Sequence, residues 1–460
     1  MRVLPLLAVL LAATAAWAQP LPPEVDAALA QARLPRDAVT LLVTDVDPAQ
    51  PPRLSHRAEV PVNPASIAKL ATTMAALELL GPAYTWTTPV LTDGPIAGGT
   101  LQGNLYLQGS GDPKLVLERL WLLLRRVRAL GIDRVAGDIV LDHGAFAPVS
   151  TDPSSFDGEP LRPYNATPDG LLLNFKSVLL TLVPQTDGRA RLLVEPPLAG
   201  VRWPSTVPLV LGECGDWRST LKADFTDPLR PRLAGSYPAA CGERGWPLAF
   251  ADPASYATRA VAGLWAEVGG RVGGVVRDGR VPATATQLAV SVSPPLSEVV
   301  RDINKYSNNV MAQQLFLTLG LQGQGPATRE GARETLRAWW RDRIGPDLPA
   351  FDNGSGLSRD ERITAQQLAR LLQYTWASPL MPELAASLPA VGTDGTLRRT
   401  RTPVGAHLKS GSLRDVQGVA GYVDGAGGRR YVVVAIANHP NAAGFRPAVE
   451  ALLAWAGRER

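Results

Sequence analysis

The two ends of this chain carry complementary α/β patterns, and a long stretch of different texture separates them. Near the start, residues Ala38–Val46 are β-branched and apolar, which predicts a strand, and the turn residues from Asp45 to Pro52 predict that it enters a hairpin. From Ser66 to Leu80 the pattern becomes helical and almost fully apolar, which predicts a buried helix. A strand-helix unit of this kind needs further strands and helices to cover it.

Those further elements are predicted only at the far end of the chain. Helical periodicity returns at Leu296–Leu319, and the remaining predicted elements are helices near Glu330–Asp342 and Thr364–Trp376, strands Gly418–Val423 and Tyr431–Ala437, and a helix at Arg446–Trp455. The simplest interpretation is a multi-domain α/β protein in which residues 19–85 and 283–460 form one domain that a long insertion splits.

The insertion, residues 86–282, is predicted to be β-rich and to form two small domains. Short apolar runs alternate there with Gly, Pro and Asp, and helical stretches interrupt them at Lys114–Leu130 and Ser255–Val268. A length of 460 residues is consistent with two or three domains. The net charge of +4 is spread along the chain without basic runs, so nucleic acid is not expected as a partner.

The N-terminus has the pattern of a secretory signal peptide. Met1-Arg2 precedes an apolar run from Val3 to Trp17, and Ala16-Trp17-Ala18 forms an A-x-A site, which predicts cleavage near Ala18 and export. The alternative, a buried N-terminal helix, is disfavoured because Pro5 interrupts it. No later segment offers 18 uncharged apolar residues, so no transmembrane span is expected in the mature chain.

Cys214 and Cys241 are the two cysteines of the chain. In an exported protein, two cysteines with no histidine near either one indicate a single disulfide rather than a metal pair.

Lysine is rare in this chain, and its positions are informative. Of the 46 Lys and Arg residues, six are lysines. Arginine stays protonated in proteins, whereas a buried lysine can become a neutral amine and act as a base. Lys69 follows Ser66 by three positions at a predicted helix start, so both side chains share one face, and a neutral Lys69 can take the proton of the Ser66 hydroxyl.

This spacing is weak by itself, because a second example, Ser219 to Lys222, occurs in a segment that we interpret as a solvated loop. Two further elements strengthen the first example. The polar triplet Ser307–Asn309 interrupts an apolar helical stretch, although taken alone it is also consistent with a capping cluster between two helices. Lys409–Gly411 is the only K-[S/T]-G of the chain and precedes a predicted edge strand.

In this order, the three elements resemble the S-x-x-K, S-x-N and K-[S/T]-G motifs of penicillin-binding proteins and serine β-lactamases. The chain as a whole resembles the class C low-molecular-mass penicillin-binding proteins, which are D-alanyl-D-alanine carboxypeptidases/endopeptidases. Residues 353–359 (NGSGLSR) resemble the DGSGLSR loop of that family, and residues 387–397 resemble its SLPxxGxDGTL segment. The 241 positions between Ser66 and Ser307 match its inserted domains. Ser410 stands where threonine is commoner, and Asn353 where aspartate is common; both keep a hydrogen-bonding oxygen.

The resemblance implies a β-lactamase-like transpeptidase domain, with an antiparallel sheet, helices on both of its faces and an all-helical lobe. It implies that Ser66 is the nucleophile, Lys69 the general base, and Ser307 a proton relay to the leaving D-alanine. Asn309 would hold the acyl-side amide of the substrate, and Lys409 would supply positive charge.

For the substrate, the resemblance implies hydroxyl contacts from Ser410 and Ser412 to the terminal carboxylate, and an extended peptide pairing with the strand that follows Gly411. Backbone N–H groups of Ser66 and Ser412 would form the oxyanion hole. We further hypothesise that Leu357 and Arg359 flank the distal side chain of the stem peptide. Peptidoglycan stem peptides and, as covalent inhibitors, β-lactam antibiotics are the expected partners; neither a cofactor nor a metal is expected.

Two other functions remain open from the sequence. One is a non-catalytic cell-wall-binding protein on the same scaffold, and the other is a serine β-lactamase or esterase. A metalloprotease, an α/β-hydrolase or a nucleotide enzyme would need H-E-x-x-H, G-x-S-x-G or a glycine-rich phosphate loop, and the chain carries none of these motifs.

Overall fold

The computed structural model describes residues 20–149, 152–323 and 325–458. In these ranges the helices are α1 (Pro23–Gln31), α2 (Lys69–Leu80), α3 (Leu117–Ala129), α4 (Trp217–Thr220), α5 (Tyr256–Glu267), α6 (Leu296–Tyr306), α7 (Asn309–Leu319), α8 (Arg329–Arg343), α9 (Ala365–Ala377), α10 (Met381–Ser387) and α11 (Arg446–Gly457). The strands are β1 (Val39–Asp45), β2 (Leu54–His56), β3 (Thr87–Thr92), β4 (Ile96–Ala97), β5 (Thr100–Leu101), β6 (Leu105–Gln108), β7 (Arg134–Val135), β8 (Ile139–Asp142), β9 (Ser177–Pro184), β10 (Arg189–Glu195), β11 (Thr206–Val210), β12 (Ala223–Asp224), β13 (Arg232–Leu233), β14 (Tyr237–Pro238), β15 (Arg244–Ala249), β16 (Arg271–Val272), β17 (Val276–Asp278), β18 (Thr286–Val292), β19 (Ala406–Leu413), β20 (Val416–Asp424) and β21 (Arg430–Asn438).

A five-stranded antiparallel sheet joins the two ends of the chain in the order β19-β20-β21-β1-β2. The first strand pairs with the last along its whole length, from Val39 opposite Ala437 to Asp45 opposite Tyr431. This pairing closes one domain across everything that lies between β2 and β19 in sequence. The predicted hairpin after the first strand is the β1–β2 pair.

Both faces of this sheet are covered. Along β21, Val432, Val434 and Ile436 pack beneath the helices α2 and α6–α10, which we call the helical lobe. The alternate residues Val433, Ala435 and Ala437 pack beneath α1 and α11 on the other face. Because side chains alternate along a strand, a strand that is buried on both faces reads as a continuous apolar run, as this one does.

In the structure we call residues 87–292, which carry β3–β18 and α3–α5, the insertion, and it contains three larger sheets. Their strand orders are β17-β8-β6-β3-β18, β16-β7-β5-β4 and β14-β11-β10-β9-β15. One apolar cluster runs through the insertion, since it includes Val90 and Leu107 of the first sheet as well as Val178 and Leu182 of the third. The predicted boundaries at residues 86 and 282, and the division into two small domains, stay predictions. The Cys214–Cys241 disulfide forms as predicted.

The insertion is fastened to the helical lobe. The side chain of Gln314 on α7 accepts a hydrogen bond from Asp169 N at 2.7 Å and donates to Asp169 O at 2.9 Å and to Gly111 O at 3.1 Å. Lys114 forms an ion pair with Asp302 on α6. The insertion therefore contacts both helices that flank the predicted Ser307–Asn309 turn.

Several sequence predictions needed correction. The apolar stretch 296–319 is two helices, because Ser307 ends α6 and Asn308 caps α7 by accepting from Met311 N. The K-[S/T]-G residues lie inside β19 rather than before it, although β19 is the edge strand of its sheet. The Ser219–Lys222 segment begins in the last two residues of the short helix α4, and the side chains of Ser219 and Lys222 are exposed, as expected. Helices α1 and α10 were not predicted.

The predicted signal peptide, residues 1–18, lies outside the described residues. Within residues 20–149, 152–323 and 325–458, no helix is long and apolar enough to cross a membrane.

Candidate active site

Ser66 lies in a turn of 3-10 helix, Ala65–Ala68, that leads into α2, and Lys69 is the first residue of α2. Asn63 holds this turn from below: its side chain accepts from Ala65 N at 2.9 Å and donates to Ser358 O at 2.9 Å. Lys69 Nζ lies 2.8 Å from Ser66 Oγ. The predicted pairing of the two side chains on one face is therefore observed.

The amine of Lys69 is fully buried, with 0% exposure. Burial lowers the pKa of Lys69 well below its ordinary value of 10.5; the charge of Lys409 lowers it further, and Glu361 opposes the shift. Nζ contacts Asn309 Oδ1 at 2.7 Å and the carbonyl oxygen of Ser355. A neutral amine has two N–H groups, which these two oxygens accept, so its lone pair is left to accept the Ser66 hydroxyl proton.

The break between α6 and α7 presents the second pair of predicted residues. Ser307 adopts the left-handed conformation, with φ of 57°, which is uncommon for a residue with a side chain and is often associated with functional sites. Asn308 then caps α7, and Asn309 is the first residue of that helix. The cap and the functional motif are thus one feature, so the two interpretations of this triplet are compatible.

Strand β19 brings the third motif to the same place. Lys409 is also fully buried, and its amine contacts Ser307 Oγ at 2.8 Å and Ser410 O at 2.8 Å. Burial lowers the pKa of Lys409 to about 7. Gly411 lets the strand approach the turn of Ser66, because a Cβ at this position would lie 2.5 Å from Pro64 O.

The loop 353–357 closes the site from behind. Asn353 Oδ1 accepts hydrogen bonds from Ser355 N at 3.0 Å and Ser355 Oγ at 2.7 Å. Asparagine thus keeps the acceptor oxygen that aspartate would supply at this position, as expected. Gly356 has φ of 77°, and a Cβ there would lie 1.9 Å from Ala65 O. The loop therefore packs directly against the turn that carries Ser66.

Most of the predicted residues line a cleft of about 1070 Å³. The lining includes Ser66, Ser307, Asn309, Leu357, Arg359, Ser410 and Ser412. Lys69 and Lys409 lie buried beneath it, and Gly411 packs against Pro64. Arg359 donates to Asp415 Oδ1 at 2.8 Å, and its guanidinium lies 4.8 Å from the ring centre of Phe156 in the insertion.

Sequence reasoning missed several residues of the site. Thr396 Oγ1 lies 2.6 Å from Ser410 Oγ, and its signal was present in the GTL end of the 387–397 segment. The insertion supplies a wall of the cleft through residues that carry no motif, namely Phe156, Asp157, Glu159, Arg162, Pro163, Tyr164, Phe175, Ser177 and Pro247. Within the described part of the chain, no group of three or more His, Cys, Asp or Glu residues is placed to hold a metal ion.

Comparisons with known proteins identify the family of this chain. The model of the D-Ala-D-Ala carboxypeptidase 3 (S13) family matches residues 21–457. A D-alanyl-D-alanine carboxypeptidase of Actinomadura sp. (strain R39) is 30% identical over 401 residues, which cover 79% of this chain and 71% of that protein. The D-alanyl-D-alanine carboxypeptidase DacB of Haemophilus influenzae is 24% identical over 391 residues, or 81% of this chain and 80% of the relative.

The fold is also similar to a solved structure. The crystal structure of penicillin binding protein 4 from Haemophilus influenzae matches with a TM-score of 0.75 at 22% identity, covering 94% of this chain and 99% of that one. This likeness shows the multi-domain α/β fold, and the family match spans almost the whole described chain. The chain belongs to the D-Ala-D-Ala carboxypeptidase 3 (S13) family of serine-type peptidases.

Proposed function

We propose that this protein is an exported, periplasmic serine D-alanyl-D-alanine carboxypeptidase/endopeptidase that cleaves peptidoglycan stem peptides through an acyl-enzyme on Ser66. One observation carries the assignment of roles. Lys69 Nζ lies 2.8 Å from Ser66 Oγ and 2.7 Å from Asn309 Oδ1, while Lys409 Nζ lies 2.8 Å from Ser307 Oγ. Two buried amines, each beside a serine hydroxyl, support acyl transfer without histidine.

In the acylation step, the neutral amine of Lys69 takes the Ser66 proton as Oγ attacks the carbonyl carbon of the D-Ala-D-Ala bond. Backbone N–H groups of Ser66 and Ser412 stabilise the oxyanion, an effect worth about 10²–10³ in rate for one donor. The Ser307 hydroxyl, which the Lys409 amine contacts, gives its proton to the leaving amine of D-alanine and takes up the proton that Lys69 removed from Ser66, so both groups return to their starting protonation states. Water then hydrolyses the ester and restores the Ser66 hydroxyl.

Binding of an extended peptide is supported by the position of β19. It is the edge strand of its sheet: Ala406 and Leu408 at its start bond to residues 389–391, and the stretch from Ser410 to Leu413 is proposed to pair with a substrate strand. The hydroxyls of Ser410, Ser412 and Thr396 lie along this edge and suit a terminal carboxylate. Asn309, held by Lys69, is placed to bind the acyl-side amide.

β-Lactam antibiotics are proposed as covalent inhibitors, because their strained amide presents the same acyl carbon to Ser66. The protein should therefore form an adduct with a labelled penicillin. A stable adduct that Ser66→Ala loses, and that the control Ser219→Ala retains, supports the peptidase. Rapid release of the opened drug would indicate a β-lactamase, and the absence of any adduct would leave a non-catalytic wall-binding protein.

Digestion of purified muropeptides then separates the two peptidase activities. Release of D-alanine from monomeric pentapeptides marks a carboxypeptidase, and conversion of crosslinked dimers into monomers marks an endopeptidase. Both bonds join D-alanine to an amine, so we expect both products, and Ser66→Ala should abolish both.

A further inference from the structure

Glu361 carries a buried carboxyl group that takes no part in the mechanism above. The residue is 2% exposed. Oε1 accepts the backbone N–H groups of Asp352 at 3.2 Å and Asn353 at 3.3 Å. Oε2 is buried and has no hydrogen-bond partner among the described residues. Leaving a buried carboxylate oxygen unpaired costs free energy, so the acidic residue here needs an explanation.

A short chain of contacts connects Glu361 to the base of the active site. Glu361 holds the start of the loop through Asn353 N, and the Asn353 side chain holds Ser355 through its N–H and its hydroxyl. The carbonyl oxygen of Ser355 in turn contacts Lys69 Nζ. The carboxyl group therefore supports the loop that positions the amine.

From this arrangement we propose that Glu361 is a positioning residue for Lys69. It fixes the loop that orients the amine, and its ionised form supplies the negative charge that keeps the amine basic enough to take the Ser66 proton. This inference rests on the proposed function of the cleft.

The charged groups around the pair oppose one another. On the side of β19, Lys409 favours the neutral form of Lys69, whereas Glu361 favours its charged form. The net pKa of Glu361 is raised to about 7: burial is the largest cause and the charge of Asp352 adds to it, while the backbone N–H groups of Asp352 and Asn353 and the charge of Lys69 oppose it. Asp352 itself is paired with Arg333 of α8 at 3.3 Å. Two opposing charges therefore act on Lys69: that of Lys409 favours the neutral amine, and that of Glu361 favours the charged form.

From about pH 7 upward, where Glu361 is ionised, its charge raises the pKa of Lys69, so neutralising Glu361 lets the amine stay neutral down to a lower pH. We expect the acidic limb of the acylation rate profile to move to lower pH by about one unit, the shift that one nearby charge produces. Glu361→Gln isolates this effect, because its amide oxygen can still accept the two loop N–H groups.

The test measures the second-order rate of acylation by a fluorescent penicillin from about pH 5 to about pH 9. Four proteins are compared: wild type, Glu361→Gln, Glu361→Ala and, as a control, Asp360→Asn, which neutralises an exposed neighbouring carboxylate. In both Glu361 variants the acidic limb should move down, and in Asp360→Asn it should stay in place because solvent screens that charge. Glu361→Ala should also be about tenfold slower at every pH, because the loop N–H groups lose their acceptor.

Each outcome is informative. A limb that moves down in both Glu361 variants supports the inference. A limb that stays in place in folded Glu361→Gln, or in Glu361→Ala should the first variant fail to fold, overturns it and leaves Glu361 a structural residue. Failure of wild type to form any adduct would instead overturn the proposed function, so the two failures are distinguishable.

Discussion

At the residue scale, the cleft depends on two amines in unusual surroundings. Lys69 and Lys409 are both fully buried, and the hydrogen bonds described for them go to hydroxyl, amide and carbonyl oxygens rather than to carboxylates. A buried amine without a directly bonded carboxylate loses its proton easily. This explains why lysine occurs here in a chain whose other basic residues are mostly arginine.

The proposed role of Lys69 as a base predicts the effect of replacing it with arginine. Lys69→Arg keeps a long cationic side chain, but guanidinium does not deprotonate, so acylation by penicillin should fall by about 10²–10⁴-fold. The matched control is Lys222→Arg, since Lys222 belongs to the exposed second Ser-x-x-Lys spacing and should change nothing. The rate of adduct formation measures both. Acylation within a few-fold of wild type in Lys69→Arg would rule out proton abstraction by this residue.

Burial of Lys409 predicts a dependence of stability on pH. Its pKa is about 7 when folded and returns to its ordinary value of 10.5 on unfolding, so the unfolded chain binds more protons between these values. The lysine therefore lowers the free energy of unfolding most at pH 7 and below. Lys409→Met should raise this free energy by about 2 kcal/mol at pH 7 while abolishing activity, and the gain should shrink toward pH 10.5.

Urea unfolding of wild type and Lys409→Met at pH 7 and near pH 10 checks this linkage. The exposed Lys222→Met serves as a control and should show no difference between the two conditions. An equal gain at both pH values would mean that packing, rather than the charge of the amine, determines the effect.

At the scale of elements, the site is assembled where regular structure ends. Ser66 lies in the 3-10 turn before α2, and Ser307 is the left-handed residue that follows α6. Asn309 lies at the start of α7. Helix ends have backbone polar groups without intrahelical partners and few packing constraints, so functional side chains can project from them.

This dependence on local chemistry explains what the sequence could predict. The spacing of Ser66 and Lys69, the polar interruption at Ser307 and the apolar runs of the first and last strands are all visible within short windows. Glu361 was not recognisable in the same way, because its role depends on which loop it lies beneath. Nor was Phe156, because only the docking of the insertion brings it to Arg359.

Strand β19 must lie close to the turn of Ser66, and Gly411 makes this possible. In Gly411→Ala the new Cβ would meet Pro64 O at 2.5 Å, a backbone atom that cannot move aside without shifting Ser66. We expect acylation to fall by about tenfold or more, with a loss of about 1–3 kcal/mol in stability. Acylation rates and thermal unfolding measure the two effects.

The control for this change is Gly245→Ala in β15. There the nearest atom to a new Cβ is a side-chain methyl, Leu179 Cδ1 at 3.2 Å, which can adjust. This variant should retain full acylation. If Gly411→Ala were also fully active, close approach of β19 to Ser66 would not be required for the reaction.

At the scale of the whole molecule, the insertion leaves the split domain after α2 and returns to its active site. Gln314 and the ion pair of Lys114 with Asp302 fasten it to α7 and α6, the two helices that flank Ser307. Its residues 156–164 then form one wall of the cleft. The insertion is therefore placed to contact parts of a substrate that extend beyond the bond being cut.

A contact of this kind should matter for large substrates and not for small ones. Phe156→Ala removes the ring that packs on Arg359 and shortens the insertion wall. We expect the kcat/KM for crosslinked muropeptides to fall about fivefold, the value of one cation–π contact with its apolar surface, while penicillin acylation stays unchanged. Penicillin needs only the groups around Ser66, Ser307 and Ser410, which this change does not touch.

The control is Phe225→Ala, which removes an aromatic ring of the insertion away from the cleft and should affect neither rate. An equal fall for penicillin and muropeptides in Phe156→Ala would mean that the wall supports the catalytic residues themselves rather than the distant part of the substrate.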